Sequence, residues 1–364
     1  MSAKPQLDAL TGARGLAAWF VVIYHVRTAF SQSLPADVIN VFAKGYLAVD
    51  LFFILSGFVM WLTYAETFRK RGLRGIPDFM IRRIARIYPL HFVMLSATVG
   101  FAMVLTILGK EVPSEFNFAE LPLHYLLLQN WGFTSELAWN DPSWSISTEL
   151  GAYLFLPFLA IILTRRQMPI TVGIGLIVGL SLLLNMIFRA SGHGSLGNDI
   201  TGLGLIRCLI EFTCGVMVCI IWQQRDKASG KPVFIGSIIV SIASFVLWQM
   251  GLLRETLAIP IAFSALLYIL AITSDWRSNP LSASWAVNLG LISYATYLAH
   301  FLLWRLFKIG FVIDTSNVGF ATMLLFFASV WAASYGLYHF VEKPGRRWVQ
   351  SLTNVTKAGQ GKVA

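Results

Sequence analysis

Long apolar runs separated by short polar breaks dominate this chain. Ten runs stand out, near residues 12–30, 46–63, 87–109, 145–164, 168–189, 200–222, 233–250, 256–273, 286–307 and 319–340. A helix rising about 1.5 Å per residue needs about 20 residues to cross the bilayer core. The runs have that length and lack the two-residue alternation of a membrane barrel. The pattern predicts an all-α membrane protein, a bundle of about ten transmembrane helices. Leu121–Leu128 is also apolar but too short to cross, and reads as an interfacial or re-entrant helix. The start, MSAKPQLDALTG, has no short apolar region followed by a cleavage site, so the first run is expected to stay in place as a helix.

The polar breaks set the orientation. Ten spans put both termini on one side. If that side is cytoplasmic, it holds Lys4, Arg14, the cluster Arg69, Lys70, Arg71, Arg74, Arg82, Arg83 and Arg86, then Arg165, Arg166, Arg225, Lys227, Lys231, Arg277 and, after the last span, Lys343, Arg346, Arg347, Lys357 and Lys362. That is 20 of the 28 basic residues, with only 6 of the 18 acids. Basic loops stay inside, so the prediction is N-in and C-in. No repeat or low-complexity tract interrupts the chain, and its longest soluble piece, about 110–144, falls outside. One membrane domain is expected over 1–348, followed by a flexible cytoplasmic tail over 349–364.

Composition agrees with that picture. The 364 residues are 56% hydrophobic and 13% charged, where a soluble domain carries about a quarter charged residues. The pI near 9.6 could suggest nucleic acid. The placement of the cations accounts for it instead, so lipids and not nucleic acid are the expected partners. Cys208, Cys214 and Cys219 lie in one apolar run, where small apolar packing is their simplest role. Nothing in the sequence reads as a metal site.

Ionisable residues inside the spans are where chemistry is expected, because burying them in lipid is costly. Arg14 and His25 are eleven residues apart in the first span. Eleven helical steps return to within about 20° of the same face, about 16 Å along the axis. Histidine suits proton transfer near neutral pH, and an arginine at the mouth of a helix suits an anion. Singly, Arg14 reads as a basic flank and His25 as a satisfied interior histidine; their shared face favours a functional pair. Asp50 in the second span either orients His25 or caps its own helix. Ser56-Gly57 later in that span marks close packing. In PSWSISTELGAYLF, Glu149 either contacts an acceptor or positions the histidine, or is simply an acid in a first helical turn. Ser143 or Ser145 is a cap, and Ser147 and Trp144 are candidate substrate contacts. Trp131, Trp139 and Trp144 read first as interface anchors and second as sugar-stacking rings. Arg82 and Arg86, four apart with Arg83 between, either anchor to lipid headgroups or cradle a polyphosphate; His91 nearby is open to either role. Arg207 and Glu211 read as a paired charge set. Ser293, Tyr297 and His300 form a polar stripe in the ninth span, read first as interhelical hydrogen bonding, with Tyr297 and His300 as further substrate candidates. Glu342, Lys343 and Pro344 are expected to close the last helix.

Several of these segments, in this order, resemble one family. Arg14 and His25 match the arginine–ten residues–histidine motif of the acyltransferase family 3 membrane proteins. GYLAVDLFFILSGF, RRIARIYPLHF, WSISTELGAYLFLP, LGLISYATYLAHF and FVEKP look like its other blocks, over residues 6 to 348. The resemblance implies a ten-helix bundle in a bacterial plasma (inner) membrane. It would move an acyl group, often acetyl, from acyl-CoA as co-substrate to a hydroxyl of a cell-surface or lipid-linked carbohydrate, with no bound cofactor. By resemblance His25 is the catalytic histidine and Arg14 its partner, and Asp50, Arg82, Arg86 and Glu149 fall in blocks with functional charges. The expected route has the cytoplasmic arginines hold the CoA phosphates while His25 acts as general base. An acyl-enzyme route through His25 or a cysteine is a second path. Some relatives carry an additional periplasmic esterase-like domain; none is expected here, which leaves transfer to the membrane domain. The competing function is a transporter or flippase for an acylated glycan or lipid. The missing repeat and the lack of paired broken helices count against it.

Overall fold

Why the runs become helices is a matter of backbone satisfaction. In lipid every N–H and C=O must be paired within its own segment. The computed structural model describes residues 7–163, 168–225, 230–276, 278–312, 314–316 and 318–352, and among these there are helices and no strand. In order they are α1 (Asp8–Val26), α2 (Ala36–Phe42), α3 (Ala48–Arg71), α4 (Ile76–Ile107), α5 (Leu121–Tyr125), α6 (Trp144–Leu163), α7 (Ile170–Ala190), α8 (Ile200–Trp222), α9 (Gly230–Gln249), α10 (Glu255–Thr273), α11 (Ser284–Phe311), α12 (Phe320–Leu337) and α13 (Lys343–Leu352). Nine described helical stretches are long and apolar enough to cross a membrane. One of them, Ala36–Ile107, contains both α3 and α4, so ten helices of 18 or more residues correspond to the ten apolar runs.

The bundle has an inner and an outer set. The apolar window of α8 is 72% buried and that of α10 67%, against 22% for α7 and α9. Lipid tails are as apolar as leucine, so close backbone approach through small residues holds such helices together. α1 against α11 and α3 against α8 are the most extensive pairings. At the first, a Cβ on Gly15 would meet the Gly290 nitrogen at 2.6 Å, and one on Gly290 would meet the Thr11 carbonyl oxygen at 1.9 Å. At the second, a Cβ on Gly57 would meet the Phe212 carbonyl oxygen at 1.8 Å, and one on Gly215 that of Ile54 at 1.8 Å. The expected packing role of Gly57 is seen here.

Two boundaries differ from the sequence expectation. α4 starts at Ile76 rather than near 87, because Pro77 occupies a first-turn position where its missing N–H costs nothing. Arg82, Arg83 and Arg86 therefore lie on the helix and not before it. The last helix does not end at Glu342-Lys343-Pro344. A π-helical turn, Tyr338–Glu342, leads into α13, with Pro344 again in a first turn. Residues 349–352 are thus helical, and the remaining tail, Lys4, Arg165, Arg166, Lys227 and Arg277 lie outside the described residues. The short apolar piece appears as α5, in the segment joining α4 to α6. There His124 is buried and its carbonyl oxygen accepts from His91 Nε2 at 2.8 Å. That gives His91 a structural role.

Candidate active site

The α1–α11 contact builds the site. Both helices begin on the side that carries the Arg69–Arg86 cluster, called the basic side below. Their glycine-mediated approach lets α1 place both of its ionisable residues on α11. Arg14 donates from Nη2 to the Gly290 carbonyl at 2.9 Å and from Nε to Ser293 Oγ at 3.1 Å. Deeper in, His25 Nδ1 lies 3.2 Å from His300 Nε2. The shared face expected for Arg14 and His25 is therefore present, and Ser293 and His300 of the polar stripe are what it meets. His25 stays partly accessible, with its ring nearly perpendicular to those of Tyr24 and Phe301.

The basic end of this stripe is a cluster of guanidinium groups. Arg86 forms an ion pair with Glu342, which is buried, and interacts through space with Arg14, Arg83 and Arg346. The π turn brings Glu342 round to α4, and α13 packs close on it, where a Cβ on Gly345 would meet Pro89 at 2.6 Å. Arg83 donates to Tyr64 Oη at 3.0 Å. Arg82 faces Arg346 at the edge. Four arginines thus converge from α1, α4 and α13, with Glu149 and Glu342 as the carboxylates among them. The excess positive charge suits a polyanion. Arg83 is legible in the sequence only as the neighbour of Arg82 and Arg86, and Arg346 is not legible there as a site residue. Arg346 lies 260 positions beyond Arg86, and only the π turn folds it back.

Glu149 belongs to this end of the site. It accepts from Ser56 on α3, with Tyr153 one turn on, and it interacts through space with Arg14. Ser56 therefore does more than permit packing.

Other candidates are placed elsewhere. Asp50 contacts neither His25 nor a cap: both carboxylate oxygens accept from Arg207, each at 2.7 Å, in full burial. The pairing read as Arg207 with Glu211 is instead Arg207 with Asp50, with the buried Glu211 alongside. Arg207 is completed by the Leu196 carbonyl at 2.7 Å. The reason is depth: α3 and α8 touch at Gly57 and Gly215, which brings Asp50 level with Arg207. Trp144 is neither an interface anchor nor an open platform; its ring lies under the Arg207 guanidinium, 5.5 Å away, and against Phe53. Trp139 is also buried, against Phe116 and Phe118. Ser147 donates to the Leu127 carbonyl at 2.8 Å and accepts from the Asn130 N–H, so it ties down the α5–α6 segment rather than a substrate. Tyr297 Oη meets Ser145 Oγ at 2.8 Å, fixing α11 to α6. The three cysteines are free and buried. Among the described residues no three His, Cys, Asp or Glu side chains converge as a metal-binding group.

Known proteins give this arrangement a family. The chain is 26% identical to the acyltransferase MdmB of Streptomyces mycarofaciens, over 94% of this chain and 92% of the relative. It is 22% identical to the putative peptidoglycan O-acetyltransferase YrhL of Bacillus subtilis and 23% identical to the peptidoglycan O-acetyltransferase OatA of Listeria monocytogenes. Those matches cover 62% and 48% of this chain, but only 35% and 28% of the two relatives. No solved structure matches. The family model for the acyltransferase domain matches residues 7–339, and this chain is a multi-pass membrane member of the acyltransferase 3 family.

Proposed function

We propose that the protein transfers an acyl group, acetyl being the simplest, from acyl-CoA to a hydroxyl of a carbohydrate, across a stripe running from Arg14 to His25. The observation that carries this reading is the alignment of a guanidinium cluster with a partly accessible histidine on one helix pair. The CoA phosphates sit among Arg14, Arg83, Arg86 and Arg346, which makes the basic side cytoplasmic and agrees with the charge bias of the loops. The separation of about 16 Å from Arg14 to His25 suits an extended pantetheine arm. At His25 the acceptor oxygen attacks the thioester carbonyl while the imidazole takes its proton. The carbon–oxygen bond forms, the carbon–sulfur bond breaks, and the proton passes to the departing thiolate.

The acceptor comes from the far side. One turn beyond Phe301, Arg305 lies over that ring at 4.8 Å and forms an ion pair with Glu115. A groove of about 350 Å³ opens there, lined in part by Phe101, Leu105, Arg305 and Lys308. Its mixture of charged and apolar groups fits a polar glycan carried on a lipid.

The test is purified protein in nanodiscs with radiolabelled acetyl-CoA and a set of surface glycans. Release of free CoA matched by labelled glycan, and lost in His25→Ala, is the expected result. Glycan movement across the membrane without thioester consumption would overturn it in favour of transport.

A further inference from the structure

Two histidines from different helices meet at the site, and their ring nitrogens are not equivalent. His25 Nδ1 is 3.0 Å from the Val21 carbonyl oxygen, one turn back on its own helix. His300 Nδ1 is likewise 3.1 Å from the Thr296 carbonyl oxygen. A carbonyl oxygen can only accept, so each Nδ1 carries the hydrogen in these contacts. A neutral imidazole has one N–H, which leaves both Nε2 atoms with lone pairs. His300 Nε2, 3.2 Å from His25 Nδ1, therefore accepts, and the His25 N–H is shared between Val21 and His300. His25 is left with Nε2 as its single basic atom.

We propose that His300 is a positioning residue for His25 and not a substrate contact. It fixes the tautomer that directs the Nε2 lone pair at the acceptor hydroxyl, and it stabilises the imidazolium formed when Nε2 takes the proton. This inference rests on the general-base reading of His25. The burial of His300, fully enclosed where His25 is partly open, supports the division of labour. So does its anchoring: the Thr296 carbonyl fixes the ring from the side opposite His25. A histidine whose neighbour holds its second nitrogen is the arrangement by which bases are oriented in hydrolases, where the neighbour is a carboxylate. Here the neighbour is a neutral acceptor, which orients the ring without adding a charge to a low-dielectric interior.

Five variants, assayed for acetyl-CoA consumption with glycan in nanodiscs, separate the outcomes. His300→Leu removes the acceptor and is expected to lower kcat roughly 10- to 100-fold, less than the about 100- to 10,000-fold that the general base itself contributes, with KM for both substrates within about twofold of the parent, the expected lack of change for a residue that touches neither. His300→Gln places an amide oxygen near the former Nε2 and restores most of kcat. His300→Asn is one bond shorter, reaches only towards Thr296, and does not. In a His25→Ala background, His300→Leu has no further effect. Size-exclusion profiles and thermal midpoints of all variants are compared, so that misfolding is seen directly. Equal kcat in Gln, Asn and Leu variants, or a loss expressed as a raised acceptor KM, would overturn the positioning role while leaving His25 as base. Full activity in His25→Ala would instead remove the base reading itself.

Discussion

Replacing Asp50 by Asn should mainly unfold this protein, not stop its chemistry. Asp50 and Arg207 are enclosed between α3 and α8, with two charge-assisted hydrogen bonds of 2.7 Å between them. Hydrogen bonds to charged groups contribute about 1.5–3 kcal/mol each. Removing one partner of a buried pair costs about 3–5 kcal/mol, chiefly because the other charge is stranded. Asn keeps the volume and one acceptor, so geometry is preserved while the charge is lost. Glu211 lies one turn from Arg207 on the same helix and beside Asp50, so it can partly take over the guanidinium. Asp50→Asn is therefore expected near the lower end of that range, about 3 kcal/mol, and Asp50→Asn with Glu211→Gln near the upper end, about 5 kcal/mol. The assay is equilibrium unfolding in mixed micelles with increasing SDS, followed by kcat of the folded fraction. That kcat should fall less than tenfold, because neither residue contacts His25. A variant within about 1 kcal/mol of the parent, with kcat down 100-fold or more, would refute the argument and return Asp50 to the reacting centre.

Other expectations follow from the same contacts. Gly290→Ala must move α1 from α11 by about 1.5 Å to bring 1.9 Å up to an ordinary contact; this takes Arg14 off the Gly290 carbonyl, and acyl-CoA turnover should fall at least tenfold. Arg346→Gln should raise KM for acyl-CoA several-fold with kcat unchanged, the signature of lost uniform binding; an unchanged KM would place the phosphates elsewhere. Replacing Cys208, Cys214 and Cys219 together by Ala should preserve turnover and abolish labelling by thiol reagents in the unfolded chain; loss of turnover in a folded triple variant would favour the cysteine acyl-enzyme route. In the α4–α6 segment, burial and the nearby His91 hold the His124 imidazole down at about 4. The unfolded state then binds the proton first, so stability is full above about pH 6.5 and is lost as the pH falls towards 4. His124→Asn should reduce that loss by up to about 3 kcal/mol, read from urea or SDS titrations across the window.

The sequence on its own determined the helical class, the number of crossings and the stripe carrying Arg14 and His25. Those follow from local rules: apolar run length sets a span, and the 3.6-residue repeat sets a face. Ser293 and His300 were legible as a polar stripe for the same reason. Partner choice was not legible, because it depends on how deep each helix sits and which backbones can touch. Asp50 and His25 could be matched in depth on paper. The Gly57–Phe212 and Gly215–Ile54 approaches gave Asp50 to Arg207 instead. Trp144 looked like a surface ring until the same contact buried it under Arg207. Arg346, past the last apolar run, had no legible partner; a π turn and the contact between Gly345 and Pro89 bring it to Arg83 and Arg86. A periodicity places a residue on a face, but only the packed bundle decides what that face meets.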